Sequence, residues 1–433
     1  MKINIFRWIK QSFFKKILKN TTTLLTGSFI SSTLGLVSFT IILRSLGPDL
    51  YGQFVIMQTY MELFDQLFNF QCWHAMIKFG SDAIVENNYR KIKRIIKLGS
   101  AFDLFSAFLG MASAVLLVFI VGDYLAWTDR QIEFARLFSF LIILNITGSP
   151  IGILRLYRKF KYLSFHRILN GILKLIVVSV FSAIGFNGYE FFYVLFFIQL
   201  IDQSSLIVIA LIVLKRLKLL SFYKEKITEW KEFVTFAAWT NLDSTLNIPV
   251  KKLDKIFISK FLSYEAVAAY KLFNQLSFII RKIVNSIYYS IFPELSELVA
   301  KGEVKKALKE GVKIGILVVA IGVPFYLIFV VLSYWFTGPV FGVEYIKYWP
   351  LMILYVGYNL LFVLFISIDP IFISLGHVRY RFFITIVANV VYLILIYLIQ
   401  DKMGLFGFIL AEIIQNVFLY GLKISSLYKK EIR

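Results

Sequence analysis

A single cysteine and three histidines in 433 residues leave little material for redox or metal chemistry. Cys72 alone cannot form an intrachain disulfide, a C-x-x-C pair or an iron–sulfur ligand set, and inside an apolar stretch it reads as a packing residue. His74, His166 and His377 are too far apart in sequence to give metal-ligand spacing. No G-x-x-x-x-G-K-[ST] phosphate loop occurs, so the chain is not expected to hydrolyse a nucleotide itself. Charge is scarce as well: charged residues make up 17%, against about a quarter in soluble globular chains. The connections facing outward are short and carry no cluster of His, Asp and Glu fit for glycosyl transfer or hydrolysis, which disfavours an enzyme. Residues 1–19 lack a continuous apolar core and a small-residue cleavage site, so no cleavable signal peptide is expected.

What fills the chain instead is apolar: 59% hydrophobic and 18% aromatic residues, with a mean hydropathy of +0.75. Runs of roughly 20 mostly apolar residues recur along it, each long enough for a hydrocarbon core of about 30 Å. Twelve spans are expected, at 20–43, 54–77, 98–121, 134–154, 166–186, 191–214, 233–256, 266–290, 314–335, 350–374, 382–400 and 403–422. Lys and Arg concentrate in residues 1–19, in the connections after spans 2, 4, 6, 8 and 10, and in the C-terminal tail, which puts both termini in the cytoplasm. The net charge of +21 then expresses this bias toward anionic headgroups. No soluble basic domain exists to bind nucleic acid. Residues 1–19 interleave Phe6, Trp8, Phe13 and Phe14 with Lys10, Lys15 and Lys16, as an interfacial amphipathic helix would.

Read at a fixed offset of 216 residues, the chain resembles itself. Leu43 to Phe54 (L-R-S-L-G-P-D-L-Y-G-Q-F) aligns with Ser259 to Tyr270 (S-K-F-L-S-Y-E-A-V-A-A-Y), setting Arg44 on Lys260 and Asp49 on Glu265. The same offset carries Arg90–Gly99 onto Lys306–Gly315. Six spans per half keep the repeats in one orientation, related by an axis along the membrane normal. The expected fold is therefore an all-α polytopic membrane protein of two six-helix lobes around a central cavity. Its parts are a cytoplasmic segment 1–19, an N-lobe 20–216, a cytoplasmic linker 217–232, a C-lobe 233–422 and a cytoplasmic tail 423–433.

Polar residues inside spans are the informative ones, because a charge near mid-membrane costs about 2.5–3.5 kcal/mol on insertion scales and faces a cavity or a partner. Span 2 carries Glu62, Asp65, Gln66 and Asn69 at helical spacing. Span 8 carries Lys271, Asn274, Gln275, Arg281, Lys282 and Asn285. The offset sets Asp65 against Arg281 and Asn69 against Asn285, so the two repeats place opposite charge at equivalent positions. Cavity lining is favoured over a buried ion-pair lock, since the stripes exceed a single pair. Span 7 holds a polar ribbon of Trp239, Asp243, Asn247, Lys251 and Asp254, with Pro249 expected to bend or break it. Span 1 is rich in Thr, Ser and Gly, consistent with either a cavity wall or small-residue packing. Asp103, Asp202, Asp369 and Glu412 are the remaining intramembrane acids, and Asp369-Pro370 suggests a helix break.

The L-R-S-L-G-x-x-x-Y-G-x-F segment, and Leu253 to Tyr270 after span 7, resemble the polysaccharide flippases of the multidrug/oligosaccharidyl-lipid/polysaccharide exporter superfamily. Ser263 and Ala268 depart from the first repeat, where glycines stand. The resemblance spans essentially the whole chain through its length and span count. It implies an alternating-access flippase in the bacterial cytoplasmic (inner) membrane, carrying polyprenyl-diphosphate-linked oligosaccharide repeat units outward for O-antigen, capsule or exopolysaccharide. A polysaccharide polymerase and chain-length machinery would be its partners beside the lipid bilayer. Under that reading Arg281, Lys282 and Lys271 are the diphosphate candidates. Trp239, Asn247, Asn274, Gln275, Asn285 and Asn69 could bind sugar. Asp65, Glu62 and Asp243 are the candidate ion-coupling carboxylates. No cofactor is expected beyond H+ or Na+ coupling. The rival readings are a drug/cation antiporter of the same superfamily, which would not need the basic stripe of span 8, and a membrane polymerase or ligase.

Overall fold

A computed structural model describes residues 2–70, 72–228, 230–245 and 252–428, with side chains from Phe29 onward. No strand occurs among the described residues. Among the described residues fourteen α-helices follow one another: α1 Lys2–Phe68, α2 Trp73–Val85, α3 Tyr89–Tyr124, α4 Asp129–Ser139, α5 Gly148–Leu156, α6 Phe160–Ala183 and α7 Glu190–Arg216, then α8 Trp230–Thr245, α9 Asp254–Phe261, α10 Tyr264–Ala300, α11 Val304–Phe336, α12 Trp349–Leu361, α13 Ile368–Ser374 and α14 Val378–Leu427. Nine stretches among the described residues are long and apolar enough to cross a membrane. Large apolar side chains stand exposed along them, among them Leu116, Trp335 and Tyr397, the pattern of helices whose solvent is lipid. The protein is an all-α polytopic membrane protein.

Contacts divide the chain into two compact units. One comprises Met1–Leu46 and Tyr60–Thr245, the other Gly47–Thr59 and Leu246–Arg433. The exchange at residue 47 follows from local sequence. Gly47 takes φ 67°, which glycine adopts without the steric cost other residues bear, and Pro48 restarts the helix where its missing N–H costs nothing. The expected span 1 and the first part of span 2 thus meet at this kink within α1. Spans 11 and 12 share α14 in the same way, kinked at Gly404.

The first unit packs around Met76, Ile96, Leu154, Leu214 and Phe233, which join α2, α3, α5, α7 and α8. Its Gly171, on α6, faces Leu34 and the Ser31 backbone of α1, so part of the small-residue stripe of span 1 serves close helix packing. The second unit packs around Leu295, Ala307, Ile371, Phe372 and Leu427. Within it a Cβ on Gly52 would stand 1.9 Å from the Tyr264 carbonyl oxygen, so only glycine fits. The repeat partners of the two motif glycines have other tasks. Ser263 caps α10, its hydroxyl accepting from the Ala266 N–H at 3.1 Å, and Ala268 is fully buried.

Several expected boundaries change. The basic connection after span 8 is helical, because α10 runs to Ala300 and α11 starts at Val304. Only Lys301–Glu303 turn, with Gly302 at φ 76°. Surface pairs brace both sides: Lys301 with Glu297 at 2.5 Å and Lys306 with Glu303 at 2.8 Å. The Lys306 bond holds the Glu303 carboxyl below its ordinary range. Spans 2 and 4, expected to be continuous, are broken. The first stops at Phe68 and resumes at Trp73. The second passes from α4 through a 3-10 turn, Phe140–Leu144, to α5 at Gly148. Span 10 breaks likewise: α12 gives way to a 3-10 turn, Phe362–Phe365, and α13 begins at Ile368 beside Asp369-Pro370. Pro249, Asn247 and Lys251 of span 7 lie outside the described residues.

Candidate functional site

The breaks in spans 2 and 4 meet in the first unit and enclose a polar cavity. Asp65, Asn69, Asp103, Ser106 and Asn145 line it with Phe68, Ala107, Ile142 and Ile146. A chain that leaves helical geometry frees backbone groups, so such breaks persist in a membrane only beside protein or a polar cavity. Asn145 follows the 3-10 turn, and its Nδ2 donates to Asp65 Oδ2 at 2.6 Å. Asp103 comes from the unbroken α3. Its Oδ2 accepts from the Ser149 N–H at 2.5 Å and the Ser149 hydroxyl at 2.6 Å, which satisfies donors at the start of α5. A Cβ on Gly148 would stand 2.8 Å from that oxygen, so glycine there admits the carboxylate. Cys72 lies beside the same carboxyl group. Among the described residues no Lys, Arg or His lines the cavity.

The second unit holds a larger polar network on α10, α12 and α14. Arg281 donates from Nη2 to the Asn274 carbonyl at 2.7 Å and from Nη1 to Asn359 Oδ1 at 3.3 Å. Asn359 Nδ2 is anchored on the Tyr355 carbonyl at 2.8 Å, and the Tyr355 hydroxyl donates to Asn274 Oδ1 at 3.1 Å. Deeper in, the Tyr270 hydroxyl donates to Glu412 Oε2 at 3.0 Å. Asp254 is buried with its neighbour Lys255, whose Nζ lies 3.3 Å from the carboxylate. Arg281 also feels the nearby Glu412 carboxylate, while its hydrogen bonds among the described residues go to amide and carbonyl oxygens.

These two clusters gather some of the residues singled out from sequence and leave others apart. Asp65 and Asn69 line the first-unit cavity; Glu62 is half-buried on the same helix outside that lining. Asn274 and Arg281 belong to the second-unit network. Lys282 lies over the Phe278 ring at 5.0 Å. Lys271 and Gln275 are half-buried on α10, and Asn285 is exposed. Trp239 and Asp243 fall within α8, but their side chains, like all of Asn247, lie outside the described residues. Sequence reasoning passed over Asn145, Asn359 and Tyr355, gave no role to Asp103, and considered Glu412 only as a possible contributor to the cavity from span 12. The signal for Asn145 was present in N-I-T-G-S-P, Asn145–Pro150. A proline inside a span removes a helical hydrogen bond and breaks the turn before it.

Comparison with known proteins places the chain among others. The sequence family described as "Polysaccharide biosynthesis protein" matches residues 17–299. The inner membrane protein YghQ of Escherichia coli (strain K12) is 25% identical over 157 residues, a match spanning 36% of this chain and 44% of that relative. The fold is similar to that of a multidrug resistance MATE family transporter of the MOP superfamily in its inward-facing conformation. That likeness has a TM-score of 0.74 at 13% identity and covers 92% of this chain and 96% of the other. It is also similar to the lipid II flippase MurJ in an inward closed conformation, with a TM-score of 0.68 at 15% identity over 93% and 87% of the two chains. A Vibrio cholerae MATE transporter, VcmN, gives 0.63 at 14% identity over 97% and 98%.

Proposed function

This chain belongs to the polysaccharide biosynthesis protein family, and we propose that it is an alternating-access flippase. Its cargo would be polyprenyl-diphosphate-linked oligosaccharide repeat units, carried from the cytoplasmic to the outer leaflet for surface polysaccharide synthesis. The observation that carries this reading is Arg281. A guanidinium inside a membrane helix is expensive, and here it is held by Asn274 and Asn359, with no carboxylate in salt-bridge contact among the described residues. That arrangement keeps cationic donors ready for phosphate oxygens, which bind charge-assisted donors about twice as strongly as neutral ones. Lys271 and Lys282 on the same helix would add to the field. Asn274, Gln275, Asn285, Asn69, Trp239 and Asn247 would contact sugar, and Asp65, Glu62 and Asp243 would couple transport to an ion gradient. The inner membrane is the site of action, with both termini in the cytoplasm, and a polysaccharide polymerase would take the delivered units.

In cells lacking the protein, diphosphate-linked repeat units should accumulate shielded from a membrane-impermeant sugar-oxidising probe, and the intact gene should restore access. Normal outward delivery without the protein would reject the flippase. The second reading, a drug/cation antiporter, draws on the acidic first-unit cavity and has no use for Arg281. Efflux of a cationic dye that survives Arg281→Met would favour it.

A further inference from the structure

We infer that the seam between α6 and α7 in the first unit holds a saccharide site, at which Asp202 and Lys174 bind a pair of adjacent sugar hydroxyls. The inference adds a contact for the cargo proposed above and rests on that reading. Both helices carry an exposed apolar stripe: Phe165, Leu169, Ile172 and Ile176 on α6, and Phe197, Ile201, Val208 and Ile212 on α7. Successive residues of a helix stand about 100° apart. On α6 that geometry turns His166, Asn170 and Lys174, spaced four apart, away from the apolar stripe, and on α7 it sets Asp202 to one side of Ile201. Asp202 lies near the middle of α7, twelve residues after Glu190 and fourteen before Arg216, yet its side chain is 50% exposed. A charge at that depth is too costly against hydrocarbon and faces the protein interior or water, so the seam borders water.

Part of this cluster is a lock between the helices. Asn170 Nδ2 donates to Asp202 Oδ1 at 2.5 Å and to the Ser205 hydroxyl at 3.1 Å. The Ser205 hydroxyl donates to the Asp202 carbonyl at 2.8 Å, and His166 Nε2 lies 3.1 Å from the same carbonyl oxygen. The lock occupies Oδ1 and leaves two groups over. Among the described residues Asp202 Oδ2 accepts no hydrogen bond. Lys174, half-buried one turn beyond Asn170, feels the Asp202 charge without a salt bridge among the described residues. A lock needs neither. A lysine and a carboxylate oxygen on one wetted seam offer a donor and an acceptor of charge-assisted hydrogen bonds, and each hydroxyl of a sugar ring can answer either one. Asp202 would repel a phosphate, and Lys174 already supplies its counter-charge, so the ligand is the neutral hydroxylated ring.

The test titrates purified full-length protein in detergent with two probes: the lipid-linked saccharide extracted from cells lacking the protein, and polyprenyl diphosphate without sugar. The ratio of the two affinities reads the sugar contacts alone. Asp202→Asn keeps an acceptor for Asn170 and removes the charge. That variant and Lys174→Met should each cut the ratio at least about tenfold, the worth of one hydrogen bond to a charged group, and leave the sugar-free probe unchanged. Lys174→Met takes nothing from the lock, so it carries the test if Asp202→Asn folds poorly. In a Cys72→Ala background, Asp202→Cys should react with a hydrophilic thiosulfonate, while Ile201→Cys on the apolar stripe should not. An unreactive Asp202→Cys would overturn the wetted seam and the site with it. Unchanged ratios in both variants, with wild-type protein binding both probes, would overturn the site and leave the flippase standing. Equal loss of both probes would assign the two residues to helix packing and overturn the site as well. Wild-type protein that binds neither probe would reject the flippase reading, and this contact with it.

Discussion

Replacing Arg281 by Met and, separately, by Lys separates a phosphate-binding role from a packing role. Both substitutions remove the planar fork that reaches Asn274 and Asn359; only Lys keeps the charge. Both take a donor from Asn359 Oδ1 and from the Asn274 carbonyl, a loss the two variants share, while the Asn359 Nδ2 and Asn274 Oδ1 bonds to Tyr355 persist. Stability should therefore fall by similar amounts in the two variants. Transport should not. A hydrogen bond from a charged donor is worth about 1.5–3 kcal/mol, so Met should raise the half-saturating concentration of the lipid-linked substrate about ten- to 150-fold. Lys, losing geometry but not charge, should fall between Met and wild type. The assay is uptake of a short-chain polyprenyl-diphosphate saccharide into protein-containing vesicles, quantified by protection from an external probe. Transport by the Met variant within about twofold of wild type, with protein amount matched, would refute the diphosphate role. Equal impairment of Lys and Met together with equal loss of thermal midpoint would assign Arg281 to packing.

Gly52→Ala drives a methyl group toward the Tyr264 carbonyl, 1.9 Å from the ideal Cβ position. Since backbone must yield, it should cost about 1–3 kcal/mol or more and lower the detergent thermal midpoint, whereas Ala268→Gly at the equivalent position should cost about 1 kcal/mol. Lys423, 4% exposed in its side chain, pairs with Asp369 at 2.8 Å. Lys423→Met should destabilise by about 3 kcal/mol, the low end for a broken buried pair because Asp369 keeps some solvent, and adding Asp369→Asn should recover most of it in the same melt. Cys72 is fully buried, so native protein should resist a membrane-impermeant maleimide. With Cys72→Ala as background, cysteines placed at Glu86, Lys301 and Tyr428 should be labelled only after the membrane is permeabilised; labelling of intact cells would invert the proposed orientation.

Class and repeat were legible because they depend on signals that a membrane writes over many residues. Apolar length marked the spans, and the offset reappears in the helix starts to within one residue: α3 opens at Tyr89 and α11 at Val304, close to where Arg90–Gly99 and Lys306–Gly315 align. The break at Asp369-Pro370 was also readable. The two cavities' contents were harder. Asp65 and Arg281 stood out because charge inside a span is rare, but their partners Asn145, Asn359 and Tyr355 are ordinary residues whose importance lies in which helix faces them. A sequence lists Asn145 80 positions from Asp65; only packing sets its amide 2.6 Å from that carboxylate. Asp103 drew no role because it sits alone on a smooth apolar helix, its meaning supplied by Ser149 and Gly148 on another element.

The breaks themselves show what average hydropathy conceals. Span 7 looked the most disrupted, holding a proline among polar residues, while spans 2 and 4 passed as continuous because their average hydropathy survives a three- or four-residue interruption. Yet an interruption placed where the flanking helices remain apolar is the costly kind, since unwound backbone then lies at membrane depth and needs partners from within the protein. In the first unit those partners are Asp103 and Asn145. In the second, the fourth span of the repeat breaks at the corresponding place, before Asp369-Pro370, and Lys423 reaches the Asp369 carboxylate. The two halves thus interrupt the same span and line the break differently: Asp65, Asp103 and Asn145 in one, the Lys423–Asp369 ion pair in the other. Similar breaks with different linings mean that the side chains each half brings to the break, not the interruption itself, decide what it can hold.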